Sequence, residues 1–224
     1  LGRAYAAGAR LRPYIPEGSS NDPLLVLDGA DLEAAAGAAA LGGFANGGQL
    51  CMAAKRIIVE RAVWEGFRPR LVEAVAALRL GDPDDPATDV APVPEGPALA
   101  RARAGLGARV LVGEGERGAH FTPTVLELPP PARAGALWRE ESFAPLRGLA
   151  VAADAAEAVA LANDSPYALG AAVFGGPPWV PERLRAARVV VGEGPLYQDP
   201  HLVVGGVGDS GLAGARPKLE QLVW

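Results

Sequence analysis

The sequence predicts an α/β domain with a mostly parallel sheet flanked by helices. Three observations carry that prediction. Short apolar or β-branched runs recur along the chain, helix-period stretches separate them, and Gly-, Pro- and Asp-rich turns divide the two. Hydrophobic residues are 50% of the 224 and charged residues 21%, which supplies apolar side chains for a sizeable core in one large domain. The 29 glycines and 21 prolines follow no collagen period and read as turns.

The elements follow in order. Residues 24–27 form an apolar strand closed by the turn Asp28-Gly29. Asp31 is the N-cap of an Ala-rich helix over Leu32–Phe44, which Gly47-Gly48 ends. Arg56–Glu60 is β-branched and predicts a strand. Val63, Phe67, Leu71, Val75 and Leu78 lie three or four apart, so 62–80 predicts a helix, followed by a turn-rich loop at 81–86. A helix at 97–106 leads to a strand at Arg109–Val112, and 121–128 reads as extended. Pro129-Pro130-Pro131 is a loop. The alternation then repeats: strand 149–152, helix Ala155–Asn163, strand 171–174, helix 181–187 and strand Arg188–Val191. No internal repeat interrupts it.

Charge and rare residues exclude several functions. Lys+Arg 21 against Asp+Glu 26 gives −5, with no basic stripe, so no nucleic-acid partner is expected. No run of 18 apolar residues offers a membrane span. Cys51 is the only cysteine, which precludes an intrachain disulfide and points to a reducing cytoplasm. His120 and His201 stand without a cysteine pattern, so no metal site is expected. The chain opens on Leu1 with no charged-then-apolar leader and reads as a cut start.

Two short matches mislead. Gly113-Glu114-Gly115-Glu116-Arg117-Gly118 fits a dinucleotide fingerprint, but Ala119-His120-Phe121-Thr122-Pro123-Thr124 reads as extended where a helix must open, and two glutamates would repel phosphate. A hairpin turn is expected. Gly208-Asp209-Ser210-Gly211 resembles the nucleophile segment of trypsin-like proteases, but such a serine needs a histidine base held by a third group, and those proteases are disulfide-bonded β-barrels whereas this chain has one cysteine and an α/β pattern, so a glycine-rich turn is expected.

Cys51 carries the chemistry. It closes Phe44-Ala45-Asn46-Gly47-Gly48-Gln49-Leu50-Cys51, just after glycines that break a helix, and Met52-Ala53-Ala54-Lys55 is expected to restart a helical turn. A thiol at a helix start feels the positive end of the dipole, and Lys55 and Arg56 would add positive potential that favours the nucleophilic thiolate. The plain alternative is a buried cysteine acting as a small hydrophobe.

Glu17 opens Glu17-Gly18-Ser19-Ser20-Asn21-Asp22-Pro23, 34 residues before Cys51. Together the two segments resemble the aldehyde dehydrogenase superfamily, with its Glu-Leu-Gly-Gly and Gly-Gln-x-Cys segments at the same separation. The resemblance continues through Gly81-Asp82-Pro83, Phe121-Thr122-Pro123-Thr124-Val125-Leu126, Glu140-Glu141-Ser142-Phe143-Ala144-Pro145, Ala162-Asn163-Asp164-Ser165-Pro166-Tyr167-Ala168-Leu169 and Gly205-Gly206-Val207-Gly208-Asp209-Ser210-Gly211. It spans nearly the whole chain in order.

The resemblance implies an oxidoreductase that converts a small-molecule aldehyde to a carboxylic acid with NAD or NADP. Cys51 aligns with the nucleophile, which passes through a thiohemiacetal and a thioester, and its backbone N–H with half of an oxyanion hole. Glu17 aligns with the base that activates water, a role suited to a partly buried carboxylate. Glu141 aligns with the carboxylate that holds a cofactor ribose, Phe143 with the ring beside the nicotinamide, and Gly18 with the cofactor-facing segment. Residues 1–22 then read as the tail of a cofactor-binding domain and 23–224 as the catalytic domain, with Leu1-Gly2-Arg3-Ala4 resembling a helix of the former. The expected partners are a second copy of the chain or a chain supplying the cofactor domain.

Some positions depart from the pattern. Ser19-Ser20 replace the paired glycines, Ala144 replaces a glycine, Val203-Val204 replace Pro-Phe, Gly208 replaces a lysine, and Gly192 replaces an asparagine. These departures motivate a second reading, a non-catalytic module of the same fold that serves assembly with a larger protein.

Overall fold

A computed structural model of the chain describes Gly8 and residues 17–105, 109–117, 120–199 and 205–211. The strands are β1 (Pro23–Val26), β2 (Arg56–Glu60), β3 (Arg109–Val112), β4 (Glu116–Arg117), β5 (His120–Phe121), β6 (Thr124–Glu127), β7 (Leu146–Ala152), β8 (Tyr167–Ala168), β9 (Gly170–Phe174), β10 (Arg188–Val191) and β11 (Val207–Gly208). The helices are α1 (Leu32–Phe44), α2 (Arg61–Ala76), α3 (Pro97–Gly105), α4 (Ala136–Arg139), α5 (Ala155–Asn163) and α6 (Val180–Arg183). Seven strands form one sheet in the order β10-β9-β1-β2-β7-β6-β3. Every neighbouring pair is parallel except β3 with β6, which makes the expected mostly parallel α/β sheet.

The strands are apolar on both sides because both faces are covered. Leu24 and Val26 of β1 face one core with Ile57, Val59 and Leu149, under Ala35, Ala39 and Phe44 of α1 and Phe67, Leu71 and Val75 of α2. Leu25 faces the other core with Ile58, Leu126, Leu146 and Ala150, under Trp138 of α4 and Ala158 and Val159 of α5. The period-2 alternation of the strand thus feeds two cores at once. Asp31 caps α1 by accepting from Glu33 and Ala34, and Asp154 caps α5 by accepting from Glu157.

Three element boundaries differ from expectation by three residues or more, each for a visible reason. The helix expected at 181–187 stops at Arg183. The Asn163 side chain donates to the Arg183 carbonyl at 2.8 Å and accepts from the Arg185 N–H at 2.7 Å, which takes the groups a longer helix needs. The helix expected at 62–80 stops at Ala76, after which the Asp89 carboxylate accepts from the Arg79 N–H at 2.9 Å and the chain bridges Leu80 to Val90. Strand β7 starts at Leu146, three residues before its expected start, because Arg147 is fully buried within it.

The two decoys resolve as turns. Gly113 and Gly115 have φ of +90° and +75°, and β4 pairs antiparallel with β5. A Cβ on Gly113 would lie 2.6 Å from the Thr124 hydroxyl, so glycine is needed for close packing. Gly118-Ala119 lie outside the described residues, as do Leu1–Ala4, His201 and Val203-Val204. The Ser210 hydroxyl donates to the Ser19 carbonyl at 2.8 Å and accepts from the Ala168 N–H at 3.0 Å, a structural tie.

Candidate active site

The candidate residues gather at the amino ends of adjacent strands. Ser20, Asn21 and Asp22 lead into β1, Lys55 leads into β2, Glu141 precedes β7, Gly170 opens β9 and Arg188 opens β10. Because β10, β9, β1, β2 and β7 are consecutive neighbours, segments far apart in sequence converge along one sheet edge.

The turn that carries Cys51 is shaped by left-handed backbone. Asn46, Gly47 and Gly48 have φ of +53°, +64° and +71°, which reverses the chain after α1. The Arg147 guanidinium lies beneath and donates to the carbonyls of Gly43 at 2.7 Å and Gly48 at 3.1 Å. Cys51 is exposed at the tip, so the reading of a buried structural cysteine does not hold.

The expected helical restart at Met52–Lys55 is absent. Residues 51–53 form a turn, and the N–H groups that a helix would use go elsewhere. Ala53 bonds Leu50 at 3.1 Å, Ala54 bonds Gly42 at 3.0 Å, and Lys55 bonds Asp22 at 3.0 Å. The expected helix start at the thiol is therefore not formed. Arg56 does not add to the field as expected either. It points to the other side of β2, donates to the carbonyls of Asn21, Leu161 and Ala162 at 2.8–2.9 Å, and lies over the Trp138 ring at 5.3 Å. The adjacent Lys55 takes the opposite side, as strand alternation requires.

Lys55 is the centre of the site, with a side chain only 1% exposed. Its ammonium donates to the Leu50 carbonyl at 2.9 Å, to the Cys51 carbonyl, and to the Ser20 hydroxyl at 3.0 Å. It pairs with Glu141 Oε1 at 3.3 Å. The Ser20 hydroxyl also donates to the Cys51 carbonyl, and the Ser20 N–H donates to Glu141 Oε1 at 3.1 Å. Burial pulls the Lys55 ammonium below its ordinary range, opposed by the charges of Asp22 and Glu141. Burial likewise pushes the Asp22 carboxyl up to about 6, opposed chiefly by Lys55. Asp22 Oδ2 is buried without a hydrogen-bond partner. Arg188, half-buried, donates to the carbonyls of Tyr197 and Pro195 at 2.5 Å each, and burial lowers it against the attraction of Asp22 and Cys51.

The structure brings the expected residues together unevenly. Glu141 reaches the Cys51 turn through Lys55, and Phe143 stands half-buried two residues further on. Glu17 forms a backbone bridge to Gly211 and is exposed, so the partial burial suited to a base is not found at this rim position. Gly18 packs its Cα against the Asp209–Ser210 backbone: a Cβ there would lie 2.5 Å from the Asp209 carbonyl. Sequence reasoning missed Asp22, Arg147 and Arg188, and read Lys55 only as nearby positive charge. The only sequence signal for them is charge set among apolar strand residues.

The sheet and the convergent cysteine, lysine and carboxylate at its edge set the frame for comparison. The family model described as "Aldehyde dehydrogenase family" matches residues 3–221. This chain belongs to the aldehyde dehydrogenase family. It is 37% identical over 220 residues to a succinate semialdehyde dehydrogenase [NAD(P)+] of Escherichia coli, covering 92% of this chain and 47% of that one. It is 38% identical to a succinate-semialdehyde dehydrogenase [NADP(+)] of Deinococcus radiodurans, covering 93% and 46%. Among solved structures, the NADP-dependent glyceraldehyde-3-phosphate dehydrogenase of Bacillus halodurans complexed with NADP superposes with a TM-score of 0.89 at 29% identity, covering 99% of this chain and 48% of that one. The chain therefore spans about half the length of the relatives it matches.

Among the described residues, no helix is long and apolar enough to cross a membrane and no cluster of His, Cys, Asp and Glu could hold a metal ion. A dinucleotide ribose would suit Glu141. Its Oε1 is taken by Lys55 and Ser20, while the side chain keeps 14% of its surface exposed for an outside hydroxyl donor.

Proposed function

We propose that this chain is the catalytic part of an enzyme that oxidises an aldehyde to a carboxylic acid with NAD(P)+. The observation that carries the reading is the exposed thiol of Cys51, held on a turn that is tied through buried Lys55 to the Glu141 carboxylate. Residues 1–22 are the end of the cofactor-binding domain and 23–224 the catalytic domain. The remaining cofactor contacts come from elsewhere in the complete protein, which works as a homo-oligomer or with a chain that supplies the cofactor domain. A lone exposed thiol suits a reducing compartment such as the cytoplasm.

The residues divide the chemistry. The Cys51 thiolate adds to the aldehyde carbon, forming an S–C bond and an oxyanion that the Cys51 N–H faces. Glu141, Phe143 and Gly18 belong to the wall where NAD(P)+ docks, with Glu141 accepting from ribose hydroxyls. When bound, that cofactor supplies a hydride acceptor, which takes the adduct to a thioester. Glu17 then removes a proton from the water that attacks the thioester, and the Cys51 thiolate leaves. Both relatives named above bear names with succinate semialdehyde, so a short aldehyde carrying a carboxylate is the first substrate to try.

The test uses the complete protein and follows aldehyde-dependent NAD(P)H formation. Cys51→Ala should abolish it. Glu17→Gln should keep a first burst of NAD(P)H but slow steady acid production by about 10²–10⁴. Turnover that survives Cys51→Ala sinks the reading, and an inert Cys51 in the folded protein would fit the non-catalytic assembly module instead.

A further inference from the structure

The Lys55 side chain is buried, and its ammonium holds the peptides on either side of the Cys51 Cα. A trans peptide points its C=O and its N–H in opposite directions. The Leu50 carbonyl and the Cys51 N–H belong to one such peptide. Lys55 Nζ draws that carbonyl inward at 2.9 Å and takes the Cys51 carbonyl as well. The Cys51 N–H is thereby turned away from the buried ammonium, and Cys51 itself is exposed. The ammonium is itself fixed by Glu141 at 3.3 Å and Ser20 at 3.0 Å.

We propose that Lys55 is a positioning residue for the oxyanion hole: its buried ammonium holds the Leu50 and Cys51 carbonyls inward and so aims the Cys51 N–H at the substrate oxygen. The inference rests on Cys51 being the nucleophile. It also assigns Ser20 a use, since the serine that replaces a glycine of the family pattern supplies a second donor, its hydroxyl, to the Cys51 carbonyl beside the ammonium. The Glu141 end of the same ammonium links this peptide to the proposed ribose carboxylate.

Two thiol reagents separate this role from a simple loss of thiolate. p-Nitrophenyl acetate acylates a thiolate through a tetrahedral oxyanion: the S–C bond forms, the ester C–O bond breaks, and p-nitrophenolate leaves with the electron pair. Iodoacetamide alkylates by direct displacement of iodide and forms no oxyanion. The ratio of acylation to alkylation rate therefore reads the oxyanion donor alone. Cys51 is the only cysteine, so peptide mapping assigns both products to it. The measurement uses the full chain at fixed pH.

Lys55→Met should lower that ratio by about tenfold or more, since loss of an oxyanion donor outright costs about 10²–10³. Lys55→Gln and Ser20→Ala, measured alongside, should lower it by smaller factors and carry the test if Lys55→Met does not fold. A ratio unchanged in these variants, with wild-type Cys51 still acylated faster folded than in denaturant, overturns the role of Lys55 and leaves the nucleophile standing. Wild-type Cys51 that is acylated no faster folded than denatured overturns the nucleophile, and the Lys55 role falls with it.

Discussion

Asp22 stores a pH dependence that can be worked from its surroundings. Its carboxyl is 2% exposed and is pushed from 3.8 to about 6 by burial, against the pull of Lys55. The sign follows from proton counting. Between pH 3.8 and about 6 the unfolded chain has released this proton while the folded chain keeps it. Stability then falls by about 1.4 kcal/mol per pH unit as pH rises. The stability linked to the protonated carboxyl is fully present below pH 3.8 and is lost as pH rises through about 6. Over the whole window the loss is about 3 kcal/mol. Asp22→Asn removes the titration while keeping the shape. Urea unfolding of both proteins at half-unit steps from pH 4 to 7.5 isolates the effect, because titrating groups that are not coupled to Asp22 cancel in the difference. The offset between the two includes the attraction to Lys55 and Arg188 that the amide loses, so the slope is the diagnostic. The wild type should lose about 3 kcal/mol relative to Asp22→Asn across the window, with no further change above about pH 7. A difference that stays flat from pH 4 to 7 would refute the reasoning.

Two further substitutions test the scaffold beneath the site. Arg56→Met keeps the apolar stem but leaves the carbonyls of Asn21, Leu161 and Ala162 without their donor. At about 1–3 kcal/mol per buried group, partly offset by removing a buried charge, it should destabilise by about 3–5 kcal/mol in urea titration, and a loss below about 1 kcal/mol would contradict the accounting. Gly48→Ala forces an alanine to φ +71° and sets its Cβ 2.7 Å from the Ala144 carbonyl and against the Arg147 guanidinium. A loss of about 3 kcal/mol and a lower melting temperature are expected, and an unchanged melting temperature would mean the turn has another conformation available.

What the sequence makes legible depends on how local the cause is. Leu32–Phe44, Ala155–Asn163, Arg56–Glu60 and Arg188–Val191 appear with their expected bounds, because capping aspartates, alanine content and β-branched runs act within a few residues. The end of α6 was hidden because it is set by Asn163, about 20 residues away in sequence. The start of β7 was hidden because a buried arginine contradicts an apolar strand pattern, and only the carbonyls of Gly43, Gly48 and Ser142 make Arg147 acceptable there. Cys51 could be singled out as the lone thiol next to a glycine break. The expected dipole could not survive, since three successive N–H groups of the turn found partners outside a helix.

Lys55 illustrates why a site can be half visible. A lysine four residues after a cysteine reads as surface charge, because nothing local distinguishes a solvated ammonium from a buried one. Burial is imposed by the sheet, which puts β1 and β7 on either side of β2 and so carries Ser20 and Glu141 to Lys55 from 35 and 86 residues away. Open parallel sheets usually bind ligands beyond the carboxyl ends of their strands, and a search guided by that rule looks at the wrong edge. Here the polar groups sit at the amino ends, where the chain enters strands whose register is already held by apolar pairs such as Leu24 with Ile57 and Ile57 with Leu149. The two cores thus fix the strands that carry Ser20, Lys55 and Glu141 toward one another. The buried charge then has one arrangement available: ammonium between carboxylate and carbonyls, with the cysteine turn drawn over it.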